Sequence, residues 1–538
     1  MAASYRNGRC STPGCRCCRN SPRPAYSGFR RAAGRARTGR GGAMDMQRNT
    51  QPKSPVFRRR LRRTGRKILP GPAGAAAAAV AALLALGAGP SETRAETLAQ
   101  ALARAYQHNP QLLAARAALR AVDEQAAQAH SNWRPGVSFS ADAGLTASRS
   151  KSPAAPFRPG GFQSTDRVPA GASLNVTQNL YRGGRNEHQL RQATYNISAQ
   201  RARLAGVEQT VLLNAVRAYM NVVRDLAVVR LNRNNEQVLA RQLQATRDRF
   251  SVGEVTRTDV SQAQARLAQA RAATIQSQGV LQASRANYAN VVGVVPGAVE
   301  APRPPTGLSG DPSKIAEQAQ RNNPAVVAAR WDERSARVAV DLVRGELMPT
   351  LSINGQLQRR YNAQTPDTIG DSASITANIA IPLYRSGAVA SRVRAAKQIV
   401  LRRRDDLRQA QRAAAENAAR ANAILRTARS SVTAFEAQLE ASRIALNGVR
   451  QEAAAGLRTV LDTLDAQQEL LNAQVNLVRA RRDLVVATYE LLAAVGRMNA
   501  KNLKLKVTVY DPKAHYRKVR RKAFGFGEPI GEGPASAQ

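Results

Sequence analysis

The chain repeats itself, and the repeat constrains the fold more than any local propensity. The string His108-Asn109-Pro110-Gln111-Leu112-Leu113-Ala114-Ala115-Arg116 aligns with Asn322-Asn323-Pro324-Ala325-Val326-Val327-Ala328-Ala329-Arg330 at an offset of 214. The same offset carries Pro135 onto Pro349. Further on, Leu180-Tyr181-Arg182-Gly183-Gly184 aligns with Leu383-Tyr384-Arg385-Ser386-Gly387 at an offset of 203, which also carries Gly253 onto Gly456 and Asp259 onto Asp462. An 11-residue deletion in one loop accounts for the change of offset.

Each half predicts the same order of elements. A helix comes first, over 97–131 and 312–346. Two short runs of alternating polarity follow, separated by a polar loop. A long helical stretch then spans 185–250 and 388–453, and a Gly-centred turn leads to a return helix over 256–293 and 458–496. A helix of about 66 residues is about 100 Å long at 1.5 Å per residue, beyond any ordinary domain, and needs lateral partners along its length. Composition agrees. Aromatic residues make up 4% of the chain against 43% hydrophobic residues in all, which suits Ala-, Leu- and Val-filled contacts between close helices. Alanines at 263, 265, 268, 270, 272 and 273 allow such approach.

The alternating runs bear on the compartment. Val137, Phe139, Ala141, Ala143 and Leu145 alternate with polar or small residues; so do Leu174, Val176 and Leu180, then Leu351, Ile353 and Leu357, then Ile375, Ala377, Ile379 and Ile381. Period two gives one apolar and one polar face. Each run is near the ~9–11 residues that cross a bilayer as a tilted strand. A half-buried strand of a soluble sheet is the other reading. In lipid, four strands cannot close a barrel and open edges are not tolerated. Strands pooled from three copies would give an even-numbered, twelve-stranded barrel with a polar interior.

The beginning of the chain points to export. Arg58 to Arg63, Arg66 and Lys67 form a basic stretch, Ala73 to Gly87 an apolar one, and Thr93-Arg94-Ala95 a small-residue exit, so Glu96 is the expected mature start. The Arg/Gly/Pro-rich segment 1–43 reads as disordered, with Met44 or Met46 as the expected true start. The expected organisation is therefore a basic extension over 1–52, a signal peptide over 53–95, and a first repeat over 96–300 with strands near 136–147 and 172–182. A second repeat follows over 301–500 with strands near 350–361 and 373–384, then a basic tail over 501–538. That tail, with Lys513, Arg517, Lys518, Arg520, Arg521 and Lys522, is expected to be a flexible periplasmic extension; binding to an anionic surface is its other reading.

Charge and chemistry exclude several classes. The formal net charge of +44 first suggests nucleic acid, but twenty of the 81 Lys and Arg fall in residues 1–95 and the rest are spread along helical stretches as solvated faces. Cys10, Cys15, Cys17 and Cys18 show no metal-site spacing, and the rest of the chain has no cysteine to form a disulfide. His108, His130, His188 and His515 form no cluster, and neither a phosphate-binding Gly loop nor a Ser-centred elbow appears. No catalytic residue, cofactor or metal is expected, and no nucleic-acid partner.

Taken with the hairpin turns, these features identify a resemblance to the TolC family of outer-membrane efflux and secretion channels over roughly residues 97–500. The motifs are the duplicated Asn-Pro, the Leu-Tyr-x-Gly/Ser-Gly strand exits, and two tip strings: Arg249-Phe250-Ser251-Val252-Gly253-Glu254-Val255-Thr256-Arg257-Thr258-Asp259-Val260 and Ala455-Gly456-Leu457-Arg458-Thr459-Val460-Leu461-Asp462-Thr463-Leu464-Asp465-Ala466. The resemblance implies a mainly helical, internally duplicated protomer with four strands. It implies a homotrimer with a twelve-stranded outer-membrane β-barrel continuous with a periplasmic α-barrel. It also implies docking of a periplasmic adaptor (a membrane fusion protein) and an inner-membrane pump of ABC or RND type, and no enzyme activity.

Residue by residue, the resemblance implies that Thr258 and Asp259 accept gate-closing contacts from Arg458. It implies that Asp462 and Asp465 form acidic rings at the constriction, and that Gly253 and Gly456 lie where the adaptor docks. Helix capping by Asp259 and Asp462 is the competing reading of those two residues. One position departs from the family pattern: Ala453 stands where a Tyr often adds a gate bond. A soluble periplasmic coiled-coil adaptor or scaffold is the alternative for the whole chain; it leaves the four amphipathic strands unexplained.

Overall fold

Asn109 and Asn323 set the pattern for both halves. The computed structural model describes residues 96–157, 159–303, 305, 311–365 and 367–527; the expected extension and signal lie outside them. The leading helix of each half is divided at its Asn-Pro pair, giving α1 (Leu98–His108) and α2 (Pro110–Ser131) in the first half, α5 (Pro312–Asn322) and α6 (Pro324–Arg344) in the second. This corrects the single helix expected in each place. Pro is favoured at the first helical position, and each Asn caps the new helix through its side-chain oxygen, accepting from Gln111 N at 3.0 Å and Ala325 N at 3.0 Å. The amide nitrogen of each then reaches back to a return helix, Asn109 to Val291 O at 2.9 Å and Asn323 to Ala494 O at 3.2 Å.

The strands are β1 (Gly136–Ala143), β2 (Thr146–Ser152), β3 (Gly161–Arg167), β4 (Ala170–Arg182), β5 (Thr350–Tyr361) and β6 (Ile369–Ala380). Four of them form one antiparallel sheet in the order β1-β4-β5-β6, and β2 pairs with β3 in a separate ribbon. The first alternating run therefore ends at Ala143 rather than near 147: Gly144 leaves the ladder to donate to Pro169 O at 3.0 Å. The polar loop beyond it is partly this ribbon, whose Ser, Arg and Lys residues supply no apolar face. The last strand lies earlier than the expected 373–384. Pro382 supplies no N–H for a ladder, so 381–385 leave the sheet.

The two hairpins match closely. Helix α3 (Arg185–Ser251) and helix α7 (Ala388–Ala454) have 67 residues each, about 100 Å. Each starts behind a left-handed glycine, Gly184 at φ 73° and Gly387 at φ 74°. The return helices are α4 (Arg257–Val292) and α8 (Val460–Ala494). Side by side the helices run α4-α3-α8-α7, with α6 packed against both α3 and α7.

The main core lies around Tyr219 of α3, among Leu102, Leu119, Leu212, Val216, Tyr288 and Met498. The Tyr219 hydroxyl lies 2.6 Å from Glu96 O and 2.7 Å from Glu300 O, and accepts from Glu300 N at 3.1 Å. It thereby ties the start of α1 to the linker between the halves, where Glu96 also bridges Val299. Burial pushes this hydroxyl up to about 12.

The basic tail, over its described part, is not a flexible extension. Leu505 and Val519 are buried, Tyr510 N donates to Tyr106 Oη at 3.0 Å, and Arg201 Nε donates to Pro512 O at 3.2 Å. A short helix, α9 (Ala514–Val519), packs on α2. There His515 and Arg201 lie 3.5 Å and 3.7 Å from the buried Asp123 carboxyl, whose pKa burial raises against their charge. Apolar anchors and aromatic contacts hold the strap despite its charge.

Candidate functional site: a two-faced sheet and two hairpin tips

The register of the sheet sorts its side chains into two faces. Val137, Val176, Gly355 and Ile375 lie across from one another, as do Phe139, Leu174, Leu357 and Ala373. The intervening rows are Ser138, Asn175, Gln356 and Ser374, then Ser140, Ser173, Gln358 and Ser372. Among the described residues no other part of the chain covers the apolar rows: Phe139, Ile375 and Ile379 are exposed, and a shallow depression lined by Leu174, Val176, Ile353, Leu357 and Ile375 runs over them.

Aromatics mark the ends, with Trp133, Tyr181 and Tyr384 exposed at the helical end and Tyr361 at the other. Twelve residues at about 3.3 Å each, tilted by about 45°, rise about 28 Å, close to the ~25 Å apolar band of an outer-membrane barrel with its aromatic girdles. Both edge strands, β1 and β6, lack a partner on one side among the described residues. Among the described residues no helix is long and apolar enough to cross a membrane.

At the far end of the hairpins, both turns have the same backbone. Gly253 at φ 82° donates to Phe250 O, and Gly456 at φ 78° to Ala453 O. A side chain at either glycine would meet open space, so the positive φ alone calls for glycine. Thr256 and Thr459 then cap α4 and α8 in matching boxes. Asp259 Oδ2 accepts from Thr256 N at 2.9 Å and Oγ1 at 2.7 Å; Asp462 Oδ2 accepts from Thr459 N at 3.0 Å and Oγ1 at 2.8 Å. These bonds hold the Asp462 carboxyl below its ordinary range. Both aspartates thus perform the capping that competes with their gate reading.

The protomer does not bring Arg458 to Thr258 or Asp259. Its Nε donates to Glu452 Oε2 at 2.7 Å, across its own turn, which raises the guanidinium pKa. Thr258 is exposed. Asp465 pairs with Arg266 of α4, joining the two hairpins beside the small core of Leu239, Leu243, Leu267 and Leu464.

Two residues here escaped sequence reasoning. Glu452 falls where the first tip has Arg249, and Arg266 lies one turn past Gln262, the counterpart of Asp465. The signal was the charge difference between otherwise matching tips. Among the described residues no group of His, Cys, Asp and Glu could hold a metal ion.

A family model described as "Outer membrane efflux protein" matches residues 101–294 and 315–497, one segment in each half. The chain belongs to the outer membrane efflux protein family. The outer membrane efflux protein BepC of Brucella suis biovar 1 is 34% identical over 437 residues, which cover 81% of this chain and 93% of that protein. The outer membrane protein TolC of Vibrio cholerae is 26% identical, covering 72% of this chain and 87% of that protein. In fold, the chain is similar to the CmeC outer membrane channel of Campylobacter jejuni, with a TM-score of 0.64 at 18% identity, covering 76% of this chain and 88% of that one. This outer membrane efflux protein is therefore a channel component of the outer membrane, with a large helical portion on the periplasmic side. Its two-faced sheet is the membrane part.

Proposed function

We propose that three copies of the chain form one exit duct, through which an inner-membrane transporter of ABC or RND type and a periplasmic adaptor pass substrates out of the cell. One observation carries this reading: among the described residues the sheet has an uncovered apolar face and two open edges. An open edge in hydrocarbon leaves several backbone groups unsatisfied, so β6 of one copy pairs with β1 of the next, and twelve strands close the ring. The helices repeat the argument. α4 and α7 are the outer members of the row and carry exposed apolar side chains, Ile275 and Val280 on one, Ile424 and Ile444 on the other. A neighbouring copy covers both.

The tips form the periplasmic gate. Arg458, oriented by Glu452, reaches Asp259 and Thr258 of an adjacent hairpin when the ring is assembled. Asp462 and Asp465 face the narrowest passage, and threefold symmetry turns each into three carboxylates, a natural cation site. The turns at Gly253 and Gly456, with exposed Val252 and Leu457, receive the adaptor. In planar bilayers the purified protein should form water-filled pores. Arg458→Ser should raise single-channel conductance, because it removes one charged link per copy. Unchanged conductance with an intact oligomer would take Arg458 out of the gate; absence of any pore would take away the duct.

A further inference from the structure

The last described residues of the basic strap lie beside the start of the sheet. Arg134, two residues before β1, donates from Nη2 to Arg521 O at 2.8 Å and from Nη1 to Lys522 O at 3.0 Å. Trp133 beside it is 40% exposed, lies tilted against His130 with ring centroids 5.6 Å apart, and is fixed to the sheet by Gln178, whose side chain donates to Trp133 O at 3.0 Å. Arg521 and Lys522, near the end of the described strap, therefore sit level with the helical end of the apolar sheet face. Burial and the convergence of Arg134, Arg521 and Arg520 hold the imidazole of His130 below its ordinary pKa.

Among the described residues, no carboxylate lies within ion-pairing distance of Arg134, Arg520, Arg521 or Lys522. From Pro512 to Gly527 the strap has no acidic residue at all. Just past these cations, Phe524 is 91% exposed and Phe526 is fully exposed, two residues apart. Cations beside exposed aromatics, at the height of a strand's entry into lipid, form an arrangement suited to an interface: charge for headgroups, rings for the headgroup–acyl boundary.

We propose that Arg134, Arg520, Arg521 and Lys522, with Trp133, Phe524 and Phe526, bind anionic phospholipid of the periplasmic leaflet and anchor the strap around the base of the barrel. The proposal rests on the sheet being the membrane part. Charge complementarity selects an anionic headgroup, and the position at the helical end of the sheet selects the periplasmic leaflet.

The test uses tryptophan quenching in the full-length, assembled protein. The chain has two tryptophans, so Trp331→Phe leaves Trp133 as the reporter. The protein is placed in nanodiscs containing either dibromo-phosphatidylglycerol or dibromo-phosphatidylcholine at equal mole fraction. Quenching by the anionic lipid should exceed quenching by the zwitterionic one about threefold, and the excess should shrink with salt. Arg520→Ser with Arg521→Ser and Lys522→Ser should bring the ratio to about one. Arg520→Lys with Arg521→Lys keeps the charge and should keep the ratio. Phe524→Ser with Phe526→Ser should keep the ratio while lowering quenching by both lipids.

A ratio near one in the parent, or an unchanged ratio after loss of the three cations, overturns the proposal. So does loss of the ratio in the lysine variant, which would assign the effect to packing. Absence of quenching by either lipid would instead contradict the membrane placement of the sheet, and the proposal would fall with it.

Discussion

Helix α3 buries side chains along most of its length, from Ala193 through Leu212 and Tyr219 to Leu243 and Thr246. Its counterpart α7, of equal length and similar backbone, buries Val389, then a patch from Ala414 to Ala428, and beyond it Leu446. The repeat offset places Asn422 at the equivalent of Tyr219 and Leu491 at the equivalent of Tyr288. The first half thus holds the aromatic centre that pins the chain's start and the inter-repeat linker. The second half keeps small residues and an uncovered flank. Duplication preserved caps, turns and lengths; the side chains diverged according to which neighbours each helix has inside the protomer. An exposed helix of about 100 Å, with Ile424 and Ile444 facing out, is a surface waiting for another copy.

The sheet offers the largest perturbation of this contrast. Ile375→Arg on β6 or Val176→Arg on β4, in one row at mid-strand, should destabilise insertion by about 2–4 kcal/mol, because a mid-bilayer Arg lies on the lipid face. Ser374→Arg and Asn175→Arg, one residue away on the polar face, should be tolerated. Heat-modifiable migration of the oligomer in outer-membrane fractions measures this; equal damage at both sets breaks the assignment of faces.

Tyr219→Phe comes next. It removes the hydroxyl shared by Glu96 O and Glu300 O, leaves Glu96 O with the longer 3.3 Å bond from Glu300 N, and should cost about 1–3 kcal/mol in thermal unfolding. Asn422→Ala, at the equivalent place in the second half, should cost less. A reversal of that order would mean the halves do not divide the core as described.

The capping threonines sharpen the similarity rather than the difference. Thr256→Ala and Thr459→Ala should each cost about 1 kcal/mol, read as faster hydrogen exchange in the first turn of α4 or α8. Unequal costs would show that one tip is held by contacts beyond its own cap.

Much of this was legible in the sequence for a physical reason. Duplicated motifs, helix-length Ala/Leu stretches and period-two strands are local and repeat in both halves, so the same error is not made twice. The tips were legible as turns because Gly253 and Gly456 precede Thr-x-x-Asp boxes. Side-chain partners were not. Whether Arg458 meets Glu452 or Asp259 depends on a six-residue turn against a contact between hairpins, and spacing alone does not decide it. Pro382 was in plain view, yet the alternation of Ile379 and Ile381 across it gave a strand end several residues late. The strap was misread because its charges outweigh its anchors in composition; Leu505, Tyr510 and Val519 are few, and each sits among polar neighbours.

Among the described residues one chain leaves its sheet and its helix row open at both edges, and in the proposed assembly three copies close them. Native mass measurement of the protein extracted in mild detergent tests it most directly. The expected result is a complex of three protomer masses that persists on dilution. A monomer or a dimer under those conditions would contradict it, since neither closes a ring of four-stranded sheets in lipid.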